Sequence, residues 1–233
     1  MRDYWDERAR TNAAWYVDTS IDFAEPDMDL FFATGERIVG EALDGAPASP
    51  PAYGLAVEIG AGLGRVCRAL ATRFERVVGV DVSAEMVARA RELVPDDRIA
   101  FELNDGTTLP VADASADLVV SFTVFQHIPK LAVIRSYVGE AARVLHPGGL
   151  FAFQWNNLPG PTRWRVRRAA LSALQRTGLR RETHGRNAAE FLGSRVTLSA
   201  ITAALRDSGL ELRGTRGTGT MFAWAWATRV EES

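Results

Sequence analysis

The chain has 233 residues, of which 47% are hydrophobic and 24% charged, and its formal net charge at pH 7 is -2. These values fit one large globular domain or two small ones, and they disfavour binding to nucleic acid or anionic membrane through bulk charge. The single cysteine, Cys67, excludes an internal disulfide and a thiolate zinc site, so we expect no metal and a reducing cytoplasm. The first residues contain no apolar h-region and the sequence has no apolar run of about 18 residues, so we expect neither a signal peptide nor a membrane span.

The N-terminal segment, residues 1–46, mixes acidic and aromatic residues and predicts two helices joined by a loop around Pro26. Residues 47–54 (PASPPAYG) predict a linker, because proline cannot continue a helix. The main domain therefore begins near Leu55 and extends over residues 55–233. We expect the N-terminal segment to form a helical arm or lid on that domain.

From Leu55 onward, short apolar runs alternate with helical patterns. Five strands are predicted, over residues 55–60, 76–81, 98–105, 116–125 and 150–155. Helices are predicted between them, over residues 65–74, 83–94 and 131–145. The last of these helices is expected to end at an HPGG turn. Strands and helices that alternate at this spacing form βαβ units and a mainly parallel sheet.

The regular pattern resumes near the end of the chain with a predicted helix over residues 197–207 and two closing strands over 210–216 and 220–230. A short connection joins the two strands, so they are expected to be antiparallel. The predicted fold class is therefore α/β: a doubly wound, seven-stranded, mainly parallel sheet with a final antiparallel strand and an N-terminal helical arm.

Residues 156–195 interrupt this pattern with nine arginines against two glutamates, and they predict an insertion. Three interpretations are open: a solvated helix face, a site for an anionic acceptor, or a contact for RNA or lipid headgroups. Guanidinium groups match carboxylate and phosphate geometry, which supports the second interpretation.

A glycine-rich turn, VEIGAGLGR, lies between the first strand and the following helix. The absent side chains let the backbone approach a ligand, and the helix N-terminus offers free N–H groups. Asp81 ends the second strand, where a carboxylate can accept both ribose hydroxyls of an adenosine. The combination predicts a nucleoside-binding site without identifying the cofactor.

The glycine spacing is G-x-G-x-G, because Arg65 occupies the position where a dinucleotide fingerprint has its third glycine. With an acidic residue two positions before the first glycine, this pattern resembles motif I of the class I S-adenosylmethionine-dependent methyltransferases. VVGVDVSAEMVARAR, NDGTTLPVADASADLVVSFTVFQHI and EAARVLHPGGLFAF resemble later segments of the same family. The resemblance covers residues 55–155 and implies S-adenosylmethionine as cofactor and methyl transfer as activity.

The resemblance also implies which residues bind the cofactor. The glycine turn would face the methionine part and the ribose, and Glu58 would hold the methionine amine through water. Asp81 would hold the ribose hydroxyls, Val82 and Met86 would pack on adenine, and Asp105 would receive the adenine amino group. The implied set is Glu58, Gly60, Ala61, Gly62, Gly64, Asp81, Val82, Met86, Asn104, Asp105, Gly106 and Phe122.

These residues also have structural interpretations. The glycine turn could be an ordinary strand-to-helix connection, Met86 could be a core residue, and Asn104 could cap its turn. Cys67 is expected only to fill space in a buried helix.

His127 lies just beyond the fourth strand, at the carboxyl edge of the sheet where ligands of open α/β folds bind. Methyl transfer is an in-line displacement, and alignment alone can supply much of its rate. A base helps when the acceptor is a hydroxyl or a protonated amine, and imidazole titrates near neutral pH. His127 is therefore the candidate general base, with a structural loop residue as the alternative.

The acceptor pocket is expected where the fifth strand ends and where the aromatic arm covers the sheet. Aromatic side chains of the arm could exclude water or face the sulphonium as cation–π partners. Their structural alternative is to anchor the arm to the core. The predicted substrate-binding residues are Tyr4, Trp5, Trp15, Tyr16, Trp155 and Asn156.

Missing motifs set several branches of the family aside. The segment SFTVFQHI lacks the Asn/Asp-Pro-Pro-aromatic tetrapeptide of enzymes that methylate base amines of nucleic acid. With Cys67 as the single cysteine, the thiolates needed for pyrimidine C5 or arsenite methylation are missing. No paired-glutamate loop follows the fourth strand, which disfavours protein arginine methylation. The expected partner is a small-molecule acceptor that is methylated on O, N or C. Whether the acceptor is anionic stays open. Two alternatives remain: a nicotinamide-dependent oxidoreductase and a catalytically silent S-adenosylmethionine-binding module.

Overall fold

The computed structural model describes residues 1–159 and 193–231. The strands are β1 (Leu55–Ile59), β2 (Arg76–Asp81), β3 (Ile99–Leu103), β4 (Ala116–Ser121), β5 (Leu145–Trp155), β6 (Leu210–Arg216) and β7 (Ala223–Arg229). The helices are α1 (Arg2–Val17), α2 (Met28–Leu43), α3 (Arg65–Leu70), α4 (Ala84–Leu93), α5 (Leu131–Val144) and α6 (Leu198–Asp207). A short 3-10 turn spans Phe125–His127.

The seven strands form one sheet in the order β3-β2-β1-β4-β5-β7-β6. The strands β1 to β5 pair in parallel, whereas β7 runs antiparallel to both β5 and β6. The predicted α/β fold, with its mainly parallel sheet and antiparallel final strand, is confirmed.

Both faces of the sheet are covered by helices. Every residue of β1 and β4 is buried, as expected for central parallel strands with near-continuous apolar sequence. On one face, α5 and α6 pack over residues such as Val57, Val119 and Phe151. On the other face, α2, α3 and α4 pack over residues such as Leu118 and Trp226. This arrangement leaves the carboxyl edge of β1, β2 and β4 open to ligands.

The N-terminal segment splits into two parts with different surroundings. The helix α2 begins at the N-cap Asp27 and belongs to the sheet core, where the indole N–H of Trp226 donates to the carbonyl oxygen of Ala42 at 2.9 Å. The helix α1 packs on α4 instead, with extended backbone at Asn12 dividing it. The open edge of the sheet is therefore reached mainly by α1 and the loop after it, while α2 contributes Arg37 to the cavity there.

The HPGG segment differs from the prediction of a separate turn. The strand β5 begins at Leu145, immediately after α5, and includes residues 146–149. Its pairing with β4 jumps from Ala116 opposite Leu145 to Leu118 opposite Leu150. The extra residues form an irregularity within the strand, because the chain already pairs with β4 before the glycines are reached.

The two edge strands of the sheet are β3 and β6. In β3, the guanidinium of Arg91 donates to the carbonyl oxygen of Phe101, with Nε at 3.1 Å. In β6, the pairing with β7 shifts between Leu212 and Gly214. No helix in the described part of the chain is long and apolar enough to cross a membrane.

Candidate functional site

A cavity of about 520 Å³ opens where β1, β2 and β4 end. Its volume lies in the range of small-molecule and cofactor pockets. The cavity brings together residues that are far apart in the sequence. The predicted residues that line it are Trp5, Tyr16, Glu58, Gly60, Ala61, Gly62, Asp81, Val82, Met86, Phe122, His127 and Asn156.

The turn after β1 requires glycine at two cavity positions. Gly60 and Gly62 have φ values of +80° and +53°, a region that side-chain-bearing residues rarely adopt. A Cβ on Gly60 would lie 2.2 Å from Cγ2 of Val124, and one on Gly62 would lie 2.8 Å from Cγ2 of Val17. The glycines therefore let the turn lie close to the walls on both sides. Gly64, the third glycine, is not in the lining; a Cβ at this position would lie 2.6 Å from Cζ of the buried Phe101.

Asp81, the last residue of β2, is fixed by two backbone donors. Its Oδ2 accepts from the N–H of Gly62 at 2.9 Å, and its Oδ1 accepts from the N–H of Ser83 at 2.9 Å. Burial raises the pKa of Asp81, while these hydrogen bonds oppose the rise. A carboxylate has about four acceptor directions, so two stay open for hydroxyl donors.

Glu58 in β1 is a buried carboxyl group in the cavity, with 3% of its surface exposed. Burial raises the pKa of Glu58 to about 8, although the thiol of Cys67 and the charge of Arg65 act in the opposite direction. The Sγ of Cys67 donates to Oε2 at 2.9 Å. Cys67 thus positions a cavity carboxyl in addition to filling space. The pKa of its own thiol is raised by burial.

The residues predicted to hold adenine divide into two groups. Val82 and the buried Met86 line the cavity. Asn104, Asp105 and Gly106 are not in its lining.

The turn after β3 uses its polar side chains internally. The Oδ1 of Asp105 accepts from the N–H groups of Thr107 and Thr108, and these hydrogen bonds lower the pKa of Asp105 to about 2. The amide of Asn104 donates to the hydroxyl of Tyr137 at 3.0 Å and accepts from the N–H of Gly106 at 3.0 Å. The cofactor role of these three residues stays a prediction.

The first turns of α1 lie across the ends of β2 and β3. The Nε of Arg2 donates to the carbonyl oxygen of Val82 at 3.1 Å, and its Nη2 donates to that of Asn104 at 3.0 Å. Asp6 accepts from the hydroxyl of Ser83 at 2.6 Å and from the N–H of Glu85 at 3.2 Å. Polar contacts therefore hold α1 against the start of α4.

The four aromatic residues predicted for the arm have different surroundings. Trp5 and Tyr16 line the cavity. Trp15 is buried against Tyr16 and Phe23, with ring centroids 5.0 Å and 5.1 Å away. Tyr4 lies outside the lining and meets Trp5 edge-on at 5.1 Å. Covering and anchoring are thus shared between different side chains of α1.

A buried ion pair joins the loop after α1 to the glycine turn. Arg65, with 5% of its side chain exposed, contacts Oδ2 of Asp18 through Nη1 and donates to the carbonyl oxygen of Val17 at 3.2 Å. Partial burial raises the pKa of Asp18, but hydrogen bonds from Ser20 and the charge of Arg65 hold it below its ordinary value. Asp18 and Arg65 both line the cavity.

The loop after β4 carries strained backbone and two polar side chains. Thr123 has a φ of +56°, which is unusual for a β-branched residue and typical of functional sites. The ring of His127 meets Trp5 edge-on with centroids 5.5 Å apart. The Nε2 of His127 lies 3.3 Å from the Nε2 of Gln126.

The end of β5 and the loop between β6 and β7 form another wall. Asn156 lines the cavity and accepts from the N–H of Leu158 at 3.2 Å. Trp155 is fully buried outside the lining, and its Nε1 donates to the carbonyl oxygen of Val196 at 3.0 Å, which favours a structural role over contact with a substrate. Met221 and Phe222 line the cavity while 41% and 55% exposed.

The sequence reasoning missed several lining residues, among them Asp18, Arg65, Gln126, Met221 and Phe222. Gln126 had a usable signal, because it directly precedes His127 in the loop at the carboxyl edge. Met221 and Phe222 had none, since their position depends on where β7 inserts in the sheet. Of the arginine-rich insertion, residues 160–192 lie outside the described residues, and so do eight of its nine arginines.

The chain resembles known proteins over the region that builds this cavity. Residues 57–153 match the family model described as a methyltransferase domain. The chain is 30% identical over 182 residues to the 27-O-demethylrifamycin SV methyltransferase of Amycolatopsis mediterranei, which covers 75% of this chain and 60% of that protein. It is 30% identical over 156 residues to the 2-methyl-6-phytyl-1,4-hydroquinone methyltransferase of Synechocystis, covering 66% of this chain and 46% of that protein. The chain thus spans less than two thirds of either relative.

Among solved structures, magnesium protoporphyrin IX methyltransferase of Synechocystis with bound S-adenosylhomocysteine superimposes with a TM-score of 0.61. The superposition covers 98% of this chain and 97% of that one at 19% sequence identity. At this identity the likeness shows the shared fold.

Proposed function

This chain carries a methyltransferase domain of the class I S-adenosylmethionine-dependent family, and on that premise we propose that it transfers a methyl group to an O, N or C atom of a small-molecule acceptor. The observation that carries the proposal is the meeting of Glu58, the glycine turn and Asp81 in one cavity. The two curated relatives are named for small-molecule acceptors, which supports the same class of acceptor here.

The residues present fit S-adenosylmethionine, which when bound supplies a methyl group activated by a sulphonium. Asp81 has two acceptor directions left for the ribose hydroxyls after its backbone hydrogen bonds are made. Glu58 is a buried carboxyl without a cationic partner in direct contact among the described residues, which suits a bound ammonium. The backbone around Phe122 would border the methionine part, and Val82 and Met86 would pack on adenine.

The remaining cofactor assignments depend on the turn after β3. We propose that Asp105 receives the adenine amino group beside Asn104 and Gly106, supported by its exposed and strongly ionised carboxylate. Arg2 lies across this end of the site and would form part of the adenine wall.

On the acceptor side, His127 would take the proton of the attacking group while the cavity walls align it. Trp5 and Tyr16 would exclude water from the cavity. We propose that α1, within the arm of residues 1–46, acts as the lid of the domain formed by residues 55–233.

We also propose a cellular location for the protein and a charge class for the acceptor. Cytoplasmic location is supported by the low cysteine content of the sequence, with Cys67 alone, and is checked by fractionation of the producing cell. An anionic acceptor depends on the arginines of residues 156–195 and is checked by comparing charged and neutral compounds in a turnover screen.

The test is calorimetric binding of S-adenosylhomocysteine, with NADH as control ligand. We expect micromolar binding of the former alone, and at least about tenfold weaker binding in Asp81→Ala because two charge-assisted hydrogen bonds are lost. Asp96→Ala is the matched control and should bind normally, because this half-buried aspartate pairs with Arg98 outside the cavity lining. Preference for NADH, or no binding of either ligand, would overturn the proposal. Turnover with an acceptor panel then separates an enzyme from a silent binding protein.

A further inference from the structure

Gln126 is a cavity residue that the proposed chemistry leaves without a role of its own. It follows Phe125 in the 3-10 turn after β4 and is only 6% exposed. It lines the cavity directly beside His127.

The side chain of Gln126 is half satisfied. Its Nε2 lies 3.3 Å from the Nε2 of His127, whereas its buried Oε1 has no hydrogen-bond partner among the residues that the structure describes. Burying a carbonyl oxygen without a donor costs free energy, so such an atom in a native structure calls for an explanation. A ligand donor would provide one.

The walls around Gln126 are largely apolar. Val124 and Ile128 lie two residues before and after it in the same loop and line the cavity, as does Leu158 after β5. The exposed side chains of Met221 and Phe222 complete this side. An apolar molecule would therefore be covered here, with one polar contact available to orient it.

We propose that Gln126 determines acceptor specificity: when the acceptor binds, the Gln126 side chain turns so that its Oε1, closed off in the empty cavity, accepts a hydrogen bond from a hydroxyl of the acceptor. The apolar body of the acceptor then rests on Met221 and Phe222. The acceptor class is thus a hydroxylated, largely apolar small molecule. This inference rests on the proposed function, since the acceptor binds in the same cavity. A carbonyl oxygen repels a carboxylate, so an anionic group does not bind at this point.

The test uses wild-type protein saturated with S-adenosylhomocysteine and three probes: 1-naphthol, 1-methoxynaphthalene and 1-naphthoate. Affinities are measured by calorimetry. We expect 1-naphthol to bind at least about tenfold more tightly than the other two, because a site built for a hydroxyl rejects analogues without it.

Variants of Gln126 test whether this residue causes the preference for 1-naphthol. Gln126→Leu should reduce the ratio between 1-naphthol and 1-methoxynaphthalene to within about threefold, as should Gln126→Met, a second variant that retains an unbranched side chain. Gln154→Leu is the matched control, because Gln154 is also buried with an unpartnered Oε1 among the described residues, but lies outside the cavity lining. It should keep the wild-type ratio.

The outcomes separate this inference from the proposed function. If the wild type does not bind S-adenosylhomocysteine, the proposed function is overturned. Normal binding of S-adenosylhomocysteine with equal affinity for 1-naphthol and 1-methoxynaphthalene would overturn the role of Gln126 alone. A preference for 1-naphthoate would do the same, because it would mean that the amide presents its N–H groups to the cavity. Persistence of the wild-type ratio in both Gln126 variants would also overturn it.

Discussion

Glu58 couples the cavity to pH through its buried carboxyl group. With a pKa of about 8, the group is largely protonated at neutral pH when no cation faces it. In the proposed complex a bound ammonium favours the carboxylate, so we expect binding below pH 8 to release a proton. We therefore expect the affinity for the cofactor to be linked to proton release from Glu58.

We expect the affinity for S-adenosylhomocysteine to rise between pH 6 and pH 7.5, by at most about tenfold per unit because one proton is released. Calorimetry in two buffers with different ionisation enthalpies measures that proton directly. Glu58→Gln should bind more weakly and lose the pH dependence, since its amide does not titrate. A flat pH profile in the wild type would show that Glu58 does not meet the ammonium.

His127 is tested by separating turnover from cofactor binding. His127→Ala should lower kcat about 100-fold with a hydroxyl acceptor, because a general base typically contributes this much or more. The affinity for S-adenosylhomocysteine should change far less. His146→Ala, in β5 and outside the cavity lining, is the control and should keep wild-type kcat. Unchanged kcat in His127→Ala would leave alignment as the sufficient mechanism.

At the scale of single residues, the sequence predicts the cavity side chains that lie at the end of a strand. It does not predict those that other elements bring to the cavity. Glu58 and Asp81 were predictable because each lies at the end of a predicted parallel strand, and such ends meet at one edge. In the sequence, Arg65 is informative only because it occupies the position where a dinucleotide fingerprint has its third glycine. Its partner Asp18 is 47 residues away, and no local pattern encodes such a pair.

Among the elements, α1 shows most clearly what a pattern leaves open. Two helices in the N-terminal segment were predictable, but their separate destinations were not. The helix α1 is polar or charged at half of its positions and buries small residues such as Ala9 and Ala13. Its position depends on side-chain contacts such as that of Asp6 with Ser83, which follow from the folded sheet and not from helical periodicity.

The ion pair between Asp18 and Arg65 should hold the loop after α1 in place. Asp18→Ala leaves a buried guanidinium without its counter-charge, which costs about 3 kcal/mol in free energy of unfolding. The affinity for S-adenosylhomocysteine should fall as well, since both residues line the cavity. Urea unfolding and calorimetry measure the two effects.

The matched control is Asp44→Ala, which breaks an exposed ion pair with Arg73 at the end of α2. Exposed pairs contribute little to stability, so this variant should unfold and bind nearly as the wild type does. If Asp18→Ala behaves in the same way, the loop is held by its apolar contacts and not by the ion pair.

For the whole molecule, the alternation of strands and helices was sufficient to predict the fold. Buried parallel strands read as apolar runs, and crossover helices follow one hand, so few arrangements of β1 to β5 are possible. The insertion of β7 between β5 and β6 is different, because it depends on long-range pairing such as Trp226 opposite Ala152. The strained loop at Thr123 was also invisible, since its φ is imposed by its surroundings.

The two outer strands of the sheet bear on how the protein behaves at high concentration. An exposed edge with free N–H and C=O groups can template pairing with another copy and lead to aggregation. In β3, the guanidinium of Arg91 occupies the carbonyl oxygen of Phe101, and in β6 the register shift near Gly214 breaks the regular ladder. Both features make the edges poorer templates for fibre growth than a regular unpaired strand would be.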